Sequence, residues 1–511
     1  MTAVAPPVNA GVRTLPQRVL HWAESTPDRV ALRHKKYGLW REFTWLEYAA
    51  SCAHAGLGLL ELGVQPGDRV AIIGENRPEW VFADLGIQGI GAIVVGVYAT
   101  SPAEEVQYVL EHSGSVVVIV EDEEQLDKVL ATRERLPAVR HIVLMEPRGA
   151  AHVLAEGHAI TFDALLAKGR ARAEGTGHSH TLERVAPEFV ERVGTLEPDA
   201  VAVLVYTSGT TGPPKGAMLT HANLHTACLA VPMELEVTAE DELLSYLPLC
   251  HIAERLFSII APLEMGARVS FGGGADDLVA DLREVQPTIF FGVPRVWEKM
   301  LASIDIRMAD ASWLKRRNFD FWMRIGRQLA RKRIDRVPLT ALDRVMEAIG
   351  WFLLYRPLRE RLGMARVRAA GSGAAPVAPQ VIETLWSLGI RIREGYGQTE
   401  GTGLATFTPA DDVRPGYVGT AYDGLELKIA EDGEILLRGD CVFKGYYRNE
   451  AATRDTVDPD GWLHTGDVGE LTSDGFLRIT DRKKDLIITA GGKNISPSWI
   501  ENSLKVSPYL R

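Results

Sequence analysis

The stretch Tyr206-Thr-Ser-Gly-Thr-Thr-Gly-Pro-Pro-Lys-Gly-Ala-Met-Leu-Thr-His221 follows directly on the apolar run Ala202-Val-Leu-Val205. An apolar strand that empties into a Gly-rich loop is how an open α/β sheet presents a ligand-binding segment. Gly209, Gly212 and Gly216 let the backbone approach a ligand closely and point successive N–H groups at it. Thr207, Ser208, Thr210 and Thr211 add hydroxyl donors, and Lys215 adds a mobile cation. That chemistry fits a polyphosphate. The loop is not a Walker A motif, because Pro214 stands where its second glycine belongs and Gly216 where its Mg²⁺-binding hydroxyl belongs. A plain surface loop accounts for the small residues but for neither the paired prolines nor the lysine.

Outward from this loop, short β-branched runs alternate with longer helical patterns. Arg69–Ile73, Val116–Val120 and His141–Leu144 are continuous apolar runs bounded by Gly, Asp or Glu, as expected of strands covered on both faces. The same alternation returns at 202–205, 267–271, 288–291 and 366–370, which predicts a large α/β body with more than one sheet. The texture changes near Pro415. From there to Thr480 the segments are short and separated by Glu431-Asp-Gly433, Asp458-Pro-Asp-Gly461 and Ser473-Asp-Gly475, turn signals of antiparallel hairpins or a small barrel. The expected division is therefore a large α/β domain of two sheet subdomains over 1–414, a small antiparallel β-barrel over 415–480, a charged connector at 481–485, and a further segment over 485–511.

Bulk properties narrow the class. The 511 residues, 46% apolar and 24% charged, are those of an ordinary folded chain. The net charge of −11 excludes a whole-molecule basic field, so no nucleic-acid partner is expected. Cys52, Cys228, Cys250 and Cys441 show no CxxC spacing, against a disulfide framework or a cysteine-rich zinc site and in favour of a reducing, cytoplasmic setting. Met1–Thr14 lacks the apolar segment of a secretory signal. The apolar stretch Leu85–Thr100 is Gly-rich and shorter than the roughly 20 residues of a spanning helix, and reads as a buried helix running into a buried strand.

Several further motifs stand in order along the chain: Leu247-Pro-Leu-Cys-His-Ile-Ala-Glu-Arg255, Gly371-Ser-Gly-Ala-Ala-Pro376, Glu394-Gly-Tyr-Gly-Gln-Thr-Glu400, Gly461-Trp-Leu-His-Thr-Gly-Asp467 and Asp481-Arg482 with Lys484. Each is weak alone. Together with the loop, and from about Thr14 to the last residue, they resemble the adenylate-forming superfamily of acyl-CoA synthetases, non-ribosomal adenylation domains and luciferases. Phe291-Gly-Val-Pro-Arg-Val-Trp-Glu-Lys299 and the Cys-His-Ile-Ala-Glu-Arg segment look most like long-chain fatty acid–CoA ligases.

The resemblance implies a set of roles. Residues Thr207 to Gly212, with Lys215, would handle the phosphates of ATP. Glu394, Gly395, Tyr396 and Gly397 would lie along the adenine, with Tyr396 stacked on the ring and Glu394 near its amino group. Gly373 and Ala374 look like the small-residue wall beside that ring. Thr399 would hydrogen-bond the α-phosphate, and Glu400 would ligate Mg²⁺ as a hard oxygen donor. Asp467 and Arg482 would contact the ribose from opposite sides. His251 would line the carboxylate end of the acyl pocket; it is not assigned general-base work, since a fatty carboxylate is already ionised at neutral pH. Some long-chain relatives carry a gating Trp near this segment, and Arg255 occupies its approximate place here.

The implied chemistry has two steps. A fatty carboxylate attacks the α-phosphorus of MgATP to give acyl-AMP and pyrophosphate, and the thiol of CoA then displaces AMP. Positioning and charge neutralisation carry the first step, so no protein nucleophile is needed. Two other readings stay open: a fatty acyl-AMP ligase that loads a carrier protein, and a non-catalytic acyl- or nucleotide-binding module. The resemblance further implies a hinge at 481–485, with Lys484 beside it. It also implies a small mobile α+β domain that begins at 485–511 and carries a catalytic lysine farther on, so that a chain ending at Arg511 is expected to adenylate slowly. A last feature stands outside the resemblance. Lys315 to Arg336 holds nine Lys/Arg against two Asp, interleaved with Phe319, Phe321, Trp322 and Met323. It reads either as a basic amphipathic helix for peripheral contact with an anionic membrane or as a solvated helix packed on the body.

Overall fold

The computed structural model describes residues 11, 13–173, 186–207, 212–274, 277–484, 487–488 and 494–495. They form two compact units. The first gathers Met1–Pro232, Val237–Leu278 and Phe443–Thr453; the second gathers Met233–Glu236, Val279–Val442 and Arg454–Arg511.

The first unit is organised by an eight-stranded sheet. Its interior strands, Val201–Thr207, Ile93–Val97, Arg69–Ile73, Ser115–Val120 and His141–Leu144, lie side by side and parallel. Their Val and Ile side chains are buried on both faces, which is why these runs lack polar alternation. Helices cover the sheet at close range. Trp45–Glu61 starts at a capping box, where the Thr44 hydroxyl accepts from Glu47 N–H. A Cβ added at Gly169 would lie 1.8 Å from the carbonyl oxygen of His54 on that helix, so only glycine fits the crossing.

The same sheet is not purely parallel. Val201–Thr207 turns back into Lys215–Thr220, antiparallel to it, with Thr207 opposite Lys215. The Gly-rich loop therefore closes a hairpin, and the helix His221–Leu235 starts only after the second strand. The short strand Gly445–Tyr446 completes the edge by pairing with Lys215–Thr220. A second sheet of this unit contains Val30–Lys36 and Leu39–Thr44, a pair that the apolar-run criterion misses because basic residues crowd both strands.

The second unit holds two sheets. In one, Ile289–Gly292, Ala369–Ser372 and Ile392–Tyr396 run parallel, and two short antiparallel strands extend it. The other is an antiparallel four-stranded sheet of Glu426–Ile429, Glu434–Arg438, Leu463–Leu471 and Leu477–Arg482. Gly433 and Gly475 take the positive φ of +85° and +87° that their Asp-Gly turns demand. Beyond it, Ile487–Ile488 pairs antiparallel with Asn494–Ile495. The remainder of 485–511 lies outside the described residues.

Candidate active site

The carboxyl ends of the parallel strands in the second unit open on a cleft of about 740 Å³. Ligands bind at such strand ends in open α/β sheets. Ala369–Ser372 and Ile392–Tyr396 pair in parallel and deliver Ala374–Pro376 and Gly397 to it, whereas Gly373, Thr399 and Glu400, on the same connections, are not among its lining residues. Gly373 has no room for a side chain: a Cβ would sit 2.9 Å from the carbonyl oxygen of Gly395 and 3.1 Å from the Phe291 ring. Ala374 holds a left-handed backbone at φ +67°, strain of order 1–3 kcal/mol for a non-glycine residue and typical of a ligand wall.

Tyr396 donates its hydroxyl to Asp467 Oδ2 at 2.7 Å, and Arg482 Nε lies 3.0 Å from Asp467 Oδ1. Asp467 and Arg482 face each other on neighbouring antiparallel strands, so sheet register fixes the pair. Burial pushes the Asp467 carboxyl up, against the pull of the Arg482 charge and the Tyr396 hydrogen bond. Burial, with the Asp467 charge behind it, pushes the Tyr396 phenol well up. The phenol is thus a neutral donor and the carboxylate an acceptor held between two partners. Glu394, at the end of its strand, is almost fully buried. Burial raises it to about 7, although the N–H groups of Val377 and Gly416 donate to its carboxyl.

Thr399 is buried in the tight turn Thr399–Gly401, which Thr402 closes with φ +55° while its hydroxyl donates to Cys441 O at 2.6 Å. Glu400 is half-buried, and its charge is among the influences that raise Asp467. One carboxylate near the cleft suits Mg²⁺ that arrives on nucleotide phosphates and keeps its waters. Among the described residues no group of three or more His, Cys, Asp or Glu could hold a metal ion.

The first unit carries the other expected residues. Lys215 begins its strand with Nζ 5.0 Å from the centre of the Tyr446 ring, a cation–π contact. Gly212 has φ +98°, and the Tyr108 hydroxyl donates to Pro214 O at 3.1 Å, fixing the returning limb of the loop. Ser208, Gly209, Thr210 and Thr211 lie outside the described residues. His251 caps the short helix Ile252–Arg255 by accepting Ala253 N–H at Nδ1, which leaves Nε2 as the protonated nitrogen. Burial lowers its pKa, so the ring is neutral. Arg255 is committed elsewhere: its guanidinium pairs with buried Asp84 at 2.6 Å and stacks on Trp80. Lys484 is exposed in the turn after Leu477–Arg482, beside Lys483, which binds Asp432 and Glu434.

In the second unit, Ala374, Glu394 to Gly397, Asp467 and Arg482 thus share one cleft. Tyr417, Arg478 and Thr480 line it too and were not anticipated. Arg478 and Thr480 alternate with Arg482 along one strand face, a period-2 signal that was legible once Arg482 had been chosen.

The AMP-binding enzyme family model matches residues 19–447. The chain belongs to that family. It is 36% identical over 490 residues to the long-chain-fatty-acid–CoA ligase FadD15 of Mycobacterium bovis, covering 95% of this chain and 76% of the relative. It is 33% identical to the long-chain-fatty-acid–CoA ligase ACSBG1 of Rattus norvegicus, covering 93% of this chain and 65% of that one. Among solved structures, an anthranilate CoA ligase, AuaEII, in complex with anthranoyl-AMP superposes with a TM-score of 0.73 at 22% identity, over 97% of this chain and 82% of that one. A Mycobacterium tuberculosis fatty acyl CoA synthetase gives 0.68 at 23%, over 98% and 84%. These two likenesses establish the α/β adenylate-forming fold.

Proposed function

We propose that this AMP-binding enzyme activates a fatty acid, of long chain, with ATP to acyl-AMP and pyrophosphate, and transfers the acyl group to CoA. The Tyr396–Asp467–Arg482 constellation in the cleft is the observation that carries this reading, supported by family membership and by relatives named long-chain-fatty-acid–CoA ligases. In the second unit, Asp467 accepts from the ribose hydroxyls and Arg482 contacts the same sugar. Tyr396 and the Gly373–Ala374 wall hold the adenine between them, and Glu394 accepts from its amino group. Thr399 donates to the α-phosphate, and Glu400 binds the Mg²⁺ that arrives with the nucleotide. Held there, Mg²⁺ would supply charge neutralisation for the departing pyrophosphate. In the first unit, Lys215 and the loop it ends neutralise the outer phosphates, and the neutral His251 offers Nε2–H to the acyl carboxylate. Every one of these acts by positioning or electrostatics, as adenylation requires.

Mass spectrometry of ATP-dependent thioesters, with CoA and a series of straight-chain acids from short to long, tests the reading. Acyl-CoA from the long acids supports it. Acyl-AMP that accumulates without thioester and passes only to a carrier protein would establish the acyl-AMP ligase instead. Glu400→Gln should lower pyrophosphate release by on the order of 10²–10³ while thermal stability holds. Unchanged release in that variant removes Glu400 from the role.

A further inference from the structure

Among the described residues, ten of the fifteen exposed large apolar side chains lie between 306 and 353. The sequence signal there was the basic run 315–336, which forms most of the helix Trp313–Ile334. Its packed face is clear. Trp322, Met323, Leu329 and Ala330 are buried, and a Cβ on Gly326 would lie 2.5 Å from Ser387 O of the helix Pro379–Ser387. The opposite flank is also apolar but points to water. Trp313 is 70% exposed, and Leu314 and Phe321, two turns apart and so on one face, are exposed beside it. The next helix, Ala341–Gly350, repeats the pattern with Leu342, Val345 and Ile349 at helical spacing, continued by Phe352 just beyond; Leu342 and Phe352 are 70% and 69% exposed.

Charge is distributed unequally over this surface. Lys332 and Arg333 are spent on Asp343 and Glu347, which lash the two helices together, and Arg331 is spent on Glu383. Lys315, Arg316, Arg317, Arg324 and Arg327 are exposed and make no ion pair among the described residues. Arg317 and Arg324 run along the flank of the Leu314–Phe321 stripe. An apolar stripe edged by cations is the amphipathic surface that lies in the headgroup region of a bilayer. No described helix is long and apolar enough to cross one.

We propose that the surface formed by Trp313–Ile334 and Ala341–Gly350 docks on an anionic lipid surface, with Trp313, Leu342 and Phe352 inserted and Lys315, Arg316, Arg317 and Arg324 against the headgroups. Charge selects this occupant over a second copy of the chain. A two-fold contact would set the same patch against itself, and the five cations that make no ion pair among the described residues, Lys315, Arg316, Arg317, Arg324 and Arg327, would repel their own image. An anionic bilayer neutralises those cations.

Co-sedimentation of the full chain with vesicles of phosphatidylcholine, alone or with phosphatidylglycerol, is the test. Binding is expected only with phosphatidylglycerol and should weaken as salt rises. The variant carrying Lys315→Gln, Arg316→Gln, Arg317→Gln and Arg324→Gln should partition on the order of 10²–10³-fold less, at about 1 kcal/mol per cation. The triple variant Trp313→Ser, Leu342→Ser, Phe352→Ser should lose binding even at low salt. All three sites are exposed, so both variants are expected to fold, and circular dichroism and release of pyrophosphate with a water-soluble acid check that they do. Equal binding to both vesicle types, none to either, or wild-type binding by the charge variant overturns the proposal. So does a dimer in sedimentation velocity that the serine variant dissociates, which would make the patch an interface between copies. Vesicle binding is read without catalysis, so failure here and failure of the ligase reading are told apart.

Discussion

Asp467 holds Tyr396 on one oxygen and Arg482 on the other, and this double duty sets what its loss should cost. Asp467→Asn keeps the shape and removes the charge. Hydrogen bonds to a charged group are worth about 1.5–3 kcal/mol, so KM for ATP should rise roughly tenfold to a hundredfold in a pyrophosphate-release assay. An unchanged KM would deny Asp467 a place at the nucleotide. Glu254 makes a contrasting case. It is fully buried and accepts from Ser245, Ser258 and the N–H groups of Tyr246 and Leu247, so one carboxylate ties down the segment that leads to His251. Glu254→Gln turns one acceptor oxygen into a donor that faces donors, and should cost about 1–3 kcal/mol in urea unfolding. The two residues also differ in legibility. Asp467 could be chosen from its Thr-Gly-Asp turn and the ordered motifs, although its contact with Tyr396 spans 71 positions and no local pattern encodes it. Glu254 sat inside a quoted motif, yet its role depends on donors that only the folded chain brings together.

At the scale of elements, signals that are local were readable and those that need a partner were not. The runs Arg69–Ile73 and His141–Leu144 coincide with observed strands, and the Asp-Gly turns at 433 and 475 sit where hairpins need positive φ. Val30–Lys36 escaped because a half-exposed strand rich in Arg, His and Lys has no apolar run. The Leu342–Phe352 stripe escaped for the opposite reason: apolar residues at helical spacing read as a core face whichever way they point. Gly419 has no turn signal either, yet its φ is +86° and a Cβ there would lie 2.1 Å from the backbone of Phe407. Gly475 has a similar φ but open space around it. Gly475→Ala should therefore cost only the left-handed penalty, about 1–2 kcal/mol, and Gly419→Ala distinctly more, since backbone must move. Equal shifts in the urea midpoints of the two variants would refute the steric part of this account.

For the whole molecule, buried titratable groups of opposite sign set the pH dependence of stability. Burial raises Glu254 and Glu394 from an ordinary 4.5 to about 7. Burial also lowers His34, His54 and His221 from 6.5 to about 4. A carboxyl with a raised pKa stabilises the fold fully below its unfolded value, and that stabilisation is lost as pH climbs to about 7. An imidazole with a lowered pKa acts the other way: its contribution is complete above 6.5 and lost as pH falls through about 4. Between 4.5 and 6.5 the two sets oppose each other; burial also raises Glu121, Glu234 and Asp467 and lowers His112, His141, His225 and His251, so the imidazoles outnumber the carboxyls and stability rises with pH. Above 6.5 further imidazole gain fades while the carboxyls still titrate, so stability falls slightly and then levels. The urea midpoint should therefore peak near pH 6.5, with a steep loss on the acid side and a shallow one on the alkaline side. In Glu254→Gln the alkaline decline should shrink, because one of the most strongly raised carboxyls is gone. A midpoint that climbs steadily through pH 8 in the unmodified chain would mean that the two carboxyls ionise in the fold as readily as they do in water.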